Sequence, residues 1–99
     1  MARTLPEFQH NLSPAVASLE QLGKLVRNRR AQSRMRIDDA ASLSGVSSDL
    51  LSRLENGKSV TSDKLMLVLE SLGLRMLVVP KSAIPAVDAT LDPSGGEGR

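Results

Sequence analysis

Ninety-nine residues with a net charge of +2 and no cysteine allow one small domain with tails, and exclude a large catalytic cavity, disulfides and zinc–thiolate sites. A single core of this size is marginal and calls for a staple, most readily a second copy of the chain. No apolar run approaches the ~20 residues of a membrane span and the N-terminus has no apolar signal core, so the expectation is a soluble, cytoplasmic protein.

The charge is unevenly spread. Between positions 23 and 36 stand Lys24, Arg27, Arg29, Arg30, Arg34 and Arg36 with no acid among them, while both flanks are net acidic. Such asymmetry points to a polyanionic partner, nucleic acid first, although a solvated helix face has the same appearance. The sole histidine, His10, has no second histidine with which to share a metal, and no metal or cofactor is expected.

Residues 1–12 are polar, contain Pro6 and lack a usable period, so they read as a flexible arm, which extends to residue 17 if the first helix starts at Ser18. Two helix starts follow. Ser13-Pro14 is a cap with proline at the first helical position; Ser18-Leu19-Glu20-Gln21 is a capping box, in which Gln21 reaches back to the Ser18 amide. Leu19, Leu22, Leu25, Val26 and Arg30 then share a stripe, and the first helix should end near Ser33. A second helix spans RIDDAASLSG: Asp38 and Asp39 suit its N-terminal dipole, Ala40, Ala41 and Leu43 face inward, and Gly45 supplies a left-handed stop.

Ser47 or Ser48 caps a third helix, which Gly57 closes. Its apolar side, with Val46, Leu51 and Leu54, is core; its other side presents Ser48, Asp49, Ser52 and Arg53. Thr61 or Ser62 caps a fourth helix, DKLMLVLESLG, with Leu65, Val68, Leu69 and Leu72 inward and Gly73 as terminator. LRMLVV, residues 74–79, is alternating, rich in β-formers and stopped by Pro80, and so reads as a strand. One strand in a helical domain leaves its amides and carbonyls without partners, which an antiparallel pair with a second subunit supplies. Leu74, Met76 and Val78 would share one face, favoured for the dimer seam, and Arg75, Leu77 and Val79 the other. The tail, residues 80–99, is compositionally disordered.

The second helix, a glycine turn and the third helix form a helix-turn-helix. Small Ala41, Gly45 four residues on, Val46 in the turn, and Leu51 and Leu54 at core spacing stand in register. With SRLENGK the chain resembles the Cro/C1-repressor (XRE) type of DNA-binding domain over about residues 19–73. LGLRMLVVP directly afterwards resembles HipB-type antitoxins, partners of HipA-type kinase toxins, in which a C-terminal strand pairs across the dimer axis. The implied fold is all-α: a Cro/C1 repressor-like bundle of four to five helices over residues 18–73, plus one strand at 74–79 pairing across a homodimer.

The resemblance also implies roles. Ser48, Asp49, Ser52 and Arg53 fall where a recognition helix faces the major groove, Arg53 suiting guanine and Asp49 cytosine; Asp49 equally suits the dipole of a helix start. Asn56 and Lys58 match phosphate-holding positions, and Arg30 and Glu55 match a pair tying the first helix to the third. Two departures stand out. Ile37 occupies a position where related domains place a phosphate-clasping glutamine, and Arg34 one where they favour glycine; Arg34 and Arg36 restore phosphate-directed charge nearby. Leu50 either meets a thymine methyl or is partly buried by Leu54.

Three functions compete. The first is a dimeric antitoxin that binds a palindromic double-stranded operator, represses its own operon and neutralises a HipA-like kinase. The second is a stand-alone repressor without a toxin. The third, a protein-only adaptor, sits poorly with the arginine cluster. No nucleophile set, metal cluster or phosphate-cradling loop suggests an enzyme.

Overall fold

The computed structural model describes residues 7–91. Within them lie α1 (Leu19–Gln32), α2 (Ile37–Ser44), α3 (Ser48–Glu55), α4 (Ser62–Ser71), a 3₁₀ turn (Lys81–Ala83) and α5 (Ile84–Leu91).

Each boundary has a local cause. Ser18 caps α1 by accepting from the Gln21 amide at 3.2 Å. The capping box is shifted by one residue: Gln21 Oε1 accepts from the Ala17 amide at 2.6 Å, not from Ser18. Arg36 opens α2 with extended backbone and no side-chain cap, and Gly45 closes it at φ 75°, a left-handed value that glycine adopts without steric cost. Ser47, rather than Ser48, caps α3 through the Leu50 amide at 3.0 Å. Thr61 is the N-cap residue of α4.

The core is small. Val26, Ala40, Ala41, Leu51, Leu54, Val68, Leu69 and Leu72 are buried together, with Leu22, Met35, Ile37, Val46, Val60, Leu65 and Leu74 packed around them. Leu51 and Val68 are fully buried, each contributing roughly 1.5–3 kcal/mol by area removed from water. Two residues expected inside are exposed: Leu19 on the first turn of α1 and Leu43 near the end of α2. Both lie at the ends of their stripes, where no neighbouring helix covers them.

The arm and tail differ from expectation. Residues 7–17, expected as a flexible arm, carry no regular helix or strand but are anchored: the Asn28 side chain accepts from the Gln9 amide and donates to the Gln9 carbonyl at 2.8 Å. Phe8 and His10 meet edge to face, their ring centroids 4.5 Å apart. Residues 74–80 run without regular structure, so the strand expected over Leu74, Arg75, Met76, Leu77, Val78 and Val79 is absent among the described residues. A strand is defined by its ladder, and one copy of the chain offers none. The tail expected to be disordered from position 80 is instead helical over Lys81–Leu91. Ala83, Ala86 and Ala89 are strong helix formers, and Ser13 donates to Asp88 at 2.9 Å, tying α5 to the arm. Positions 1–6 and 92–99 of the expected arm and tail lie outside the described residues.

Candidate nucleic-acid interface

Three contacts fix α3. The first is the pair of Arg30 and Glu55, whose side chains are only 8% and 6% exposed. Arg30 donates through Nε to Glu55 Oε2 at 2.7 Å and through Nη2 to Oε1 at 2.8 Å, a two-pronged contact, while its Nη1 reaches the Met35 carbonyl at 3.0 Å. One side chain thus ties α1 to the end of α3 and to the α1–α2 turn. The fork of the guanidinium matches the carboxylate in direction as well as charge.

Gly23 makes the second contact. A Cβ there would lie 2.5 Å from the Leu54 carbonyl oxygen and 2.6 Å from that of Glu55. The backbones of α1 and α3 therefore touch, and any side chain at 23 drives them apart. The sequence reading missed this position; a glycine inside a helical pattern, costly there by ~1 kcal/mol, was the available signal. The third contact is Ser48 Oγ with Asp38 Oδ1, at 3.1 Å, which joins the first turns of α2 and α3.

With α3 so placed, the four residues assigned to base reading separate. Asp49 and Arg53 are exposed, whereas Ser52 is half-buried. Ser48 is exposed but engaged with Asp38. Arg53 is anchored too, its Nη2 donating to the Ser59 carbonyl at 2.9 Å. Asn56, assigned to phosphate, caps α3, and its side-chain amide donates to the Ser52 carbonyl at 2.8 Å. Lys58, Arg34 and Arg36, expected to meet phosphates, are exposed. Arg34 stands at φ 58°, a left-handed backbone that costs a side-chain-bearing residue roughly 1–2 kcal/mol and that glycine would adopt without steric cost.

The basic cluster is less uniform than its sequence. Arg30 is consumed by Glu55. Arg29 caps the other end of the fold, its Nε donating to the Leu72 carbonyl at 2.7 Å and its Nη1 to Gln32 at 2.8 Å. Two of the six cations are thus structural, leaving Lys24, Arg27, Arg34 and Arg36 exposed. The structure adds residues that the sequence reading left out. An open groove between α3 and the start of α4 is lined by Asp49, Leu50 and Arg53 together with Ser59, Val60, Thr61 and Lys64. Next to it the Thr61 hydroxyl holds the Asp63 carboxyl below the ordinary aspartate value. Among the described residues no three His, Cys, Asp or Glu side chains are grouped to hold a metal, and no helix is long and apolar enough to cross a membrane.

A glycine-turned helix pair presenting the polar face of its second helix beside exposed arginines defines a DNA-binding helix-turn-helix protein. Residues 21–71 match the helix-turn-helix domain family, and the chain belongs to it. No curated protein sequence matches the chain. Among solved structures, HipB of a HipA-HipB-O2-O3 complex aligns with TM-score 0.63 and 24% identity, over 68% of this chain and 96% of HipB. A HipB-O4 20mer complex gives the same values. The clp gene regulator ClgR from C. glutamicum aligns with TM-score 0.53 and 38% identity, over 58% of this chain and 75% of ClgR. At 24% identity the likeness to HipB is one of fold. Family and fold together make this chain a DNA-binding transcriptional regulator.

Proposed function

We propose that the chain is a homodimeric, sequence-specific autorepressor and antitoxin: two copies bind a palindromic operator and also hold a HipA-like kinase toxin. The observation that carries this reading is the stretch after α4. Met76, Leu77, Val78 and Val79 are 43%, 67%, 91% and 40% exposed, in a segment without regular structure that has no ladder among the described residues, an edge that pairing with a second copy would satisfy. Pairing of Leu74, Arg75, Met76, Leu77, Val78 and Val79 with their counterparts sets two α3 helices at a fixed separation, as a two-fold operator requires. Base preference falls to Asp49, Ser52 and Arg53, with Ser48 holding the approach of α2 and α3; Arg34, Arg36, Asn56 and Lys58 meet phosphates. Each phosphate neutralised contributes about −0.9 to the slope of log K against log salt.

The antitoxin part draws on the similarity to HipB found in complex with HipA and on surface away from α3. Candidate toxin contacts are the outer face of α1, the arm with Phe8 and Leu12, and α5 with Ile84, Val87 and Leu91. Co-expression with a kinase-like protein encoded beside the gene tests this. A chain ending at Pro80 should stay dimeric and bind the operator while retaining less of the kinase than the full chain does. Full retention places the docking surface on α1 or the arm. If no kinase is retained by the full chain, the stand-alone regulator is the better reading, which the higher identity to ClgR favours.

A further inference from the structure

The groove between α3 and α4 has an unusual floor. Arg53, the longest side chain on the exposed face of α3, is held against the Ser59 carbonyl at 2.9 Å. Leu50 and Val60 line the same groove and are half-exposed. Val60 also packs against the core, so its side of this apolar shelf is backed by buried side chains. Arg53, Lys64 and Asp49 also line the groove, two cations against one carboxylate, which leaves its rim net cationic. A cationic site draws a polyanion, and the apolar group that a base pair shows in the major groove is the thymine 5-methyl.

We propose that Leu50 and Val60 seat the methyl group of one thymine in each half-site, and that Lys64 holds an adjacent phosphate. Specificity at that base pair then comes from an apolar contact made jointly by the recognition helix and the loop after it. The idea rests on the DNA-binding reading above and adds a residue outside α3 to base recognition. Ser59, by anchoring Arg53, positions the wall and makes no base contact of its own.

Deoxyuridine lacks only the methyl, so it isolates the contact. The probe is the tightest duplex selected by the full-length protein from a random-sequence pool, with each thymine replaced in turn by deoxyuridine. At one thymine per half-site the wild type should lose about fourfold in affinity, the equivalent of ~0.8 kcal/mol for a buried methyl-sized group. Val60→Ala should bind the thymine duplex more weakly and no longer distinguish it from the deoxyuridine duplex. Since Val60 also touches the core, Leu50→Ala is measured in parallel, with circular dichroism confirming the fold of both. Lys64→Gln should lower the salt slope by about 0.9 while keeping the thymine preference. The proposal is overturned if both apolar variants lose the same factor as the wild type at every deoxyuridine, or if no thymine matters to the wild type. A protein that selects no duplex would instead overturn the DNA-binding reading itself.

Discussion

Residues 19–73 and residues 74–91 both carry leucine, valine and methionine, but only the first region buries a set of them completely. In the first region Val26, Leu51, Leu54 and Val68 are at most 1% exposed, whereas in the second Leu77 is 67% and Val78 91% exposed. The first region also satisfies its buried polar groups internally, through Arg30 with Glu55 and Arg29 with the end of α4. Residues 74–80 lack a ladder, and α5 is attached to the arm through Ser13 rather than to the core. The first region can therefore fold on its own contacts. The second leaves Leu77 and Val78 uncovered, and the pairing proposed above would cover them.

The first region is most easily destabilised at the buried pair of Arg30 and Glu55. Glu55→Ala leaves the Arg30 guanidinium buried without its carboxylate and should cost about 3–5 kcal/mol in urea unfolding. The double change Arg30→Met with Glu55→Leu should recover most of that loss, because it removes both charges from the interior. A double variant as unstable as the single would mean that the pair contributes through geometry that apolar side chains cannot replace.

Changes on the exposed face of α3 should leave stability alone and alter binding. Arg53→Ala should cost roughly 1–3 kcal/mol at one base pair of each half-site, measured by titrating single-base variants of the operator. Equal losses on operator and random duplexes would make Arg53 a phosphate contact. Arg34→Gly should work in the opposite sense on stability. It relieves the left-handed backbone at φ 58° and should gain about 0.5–1 kcal/mol net of the extra freedom of glycine when unfolded. The same variant should lower the salt slope of DNA binding by about 0.9 if Arg34 neutralises a phosphate.

The smallest effect concerns Asp63. Its carboxyl is held below the ordinary value chiefly by the Thr61 hydroxyl, so its contribution to stability is present above about pH 4 and is lost as pH falls through the folded-state value. Thr61→Ala should move the Asp63 titration, followed by NMR, back up toward that of an unperturbed aspartate.

The helix-turn-helix was legible in the sequence because its signals are local: the glycine stop at Gly45, the serine cap of α3, and Leu51 and Leu54 at core spacing. The Arg30–Glu55 contact was accessible only through family resemblance, since 25 residues separate its members and no period links them. Gly23 and Arg29 were missed for a related reason. Their roles depend on which backbone crosses Gly23 and which helix ends beside Arg29, and neither is a property of α1 alone. The error over Lys81–Leu91 came from composition: small and polar residues suggested disorder, while the spacing of Ala83, Ala86 and Ala89 already allowed a helix. The alternation at 74–79 suggested a strand, but a strand needs a ladder partner and a single copy supplies none among the described residues.

In the proposed assembly α3 reads DNA while residues 74–79 join two copies into the binding unit. It is tested most directly by comparing a palindromic operator with a single half-site, using the wild type and Met76→Pro. Proline removes an amide donor and is not accommodated in a central ladder. The wild type should bind the palindrome far more tightly than the half-site, while Met76→Pro, folded but largely monomeric by sedimentation, should bind both with the weak affinity of the half-site. A wild type that binds the half-site as tightly as the palindrome, or a Met76→Pro variant that remains dimeric and binds the palindrome unchanged, would contradict the account.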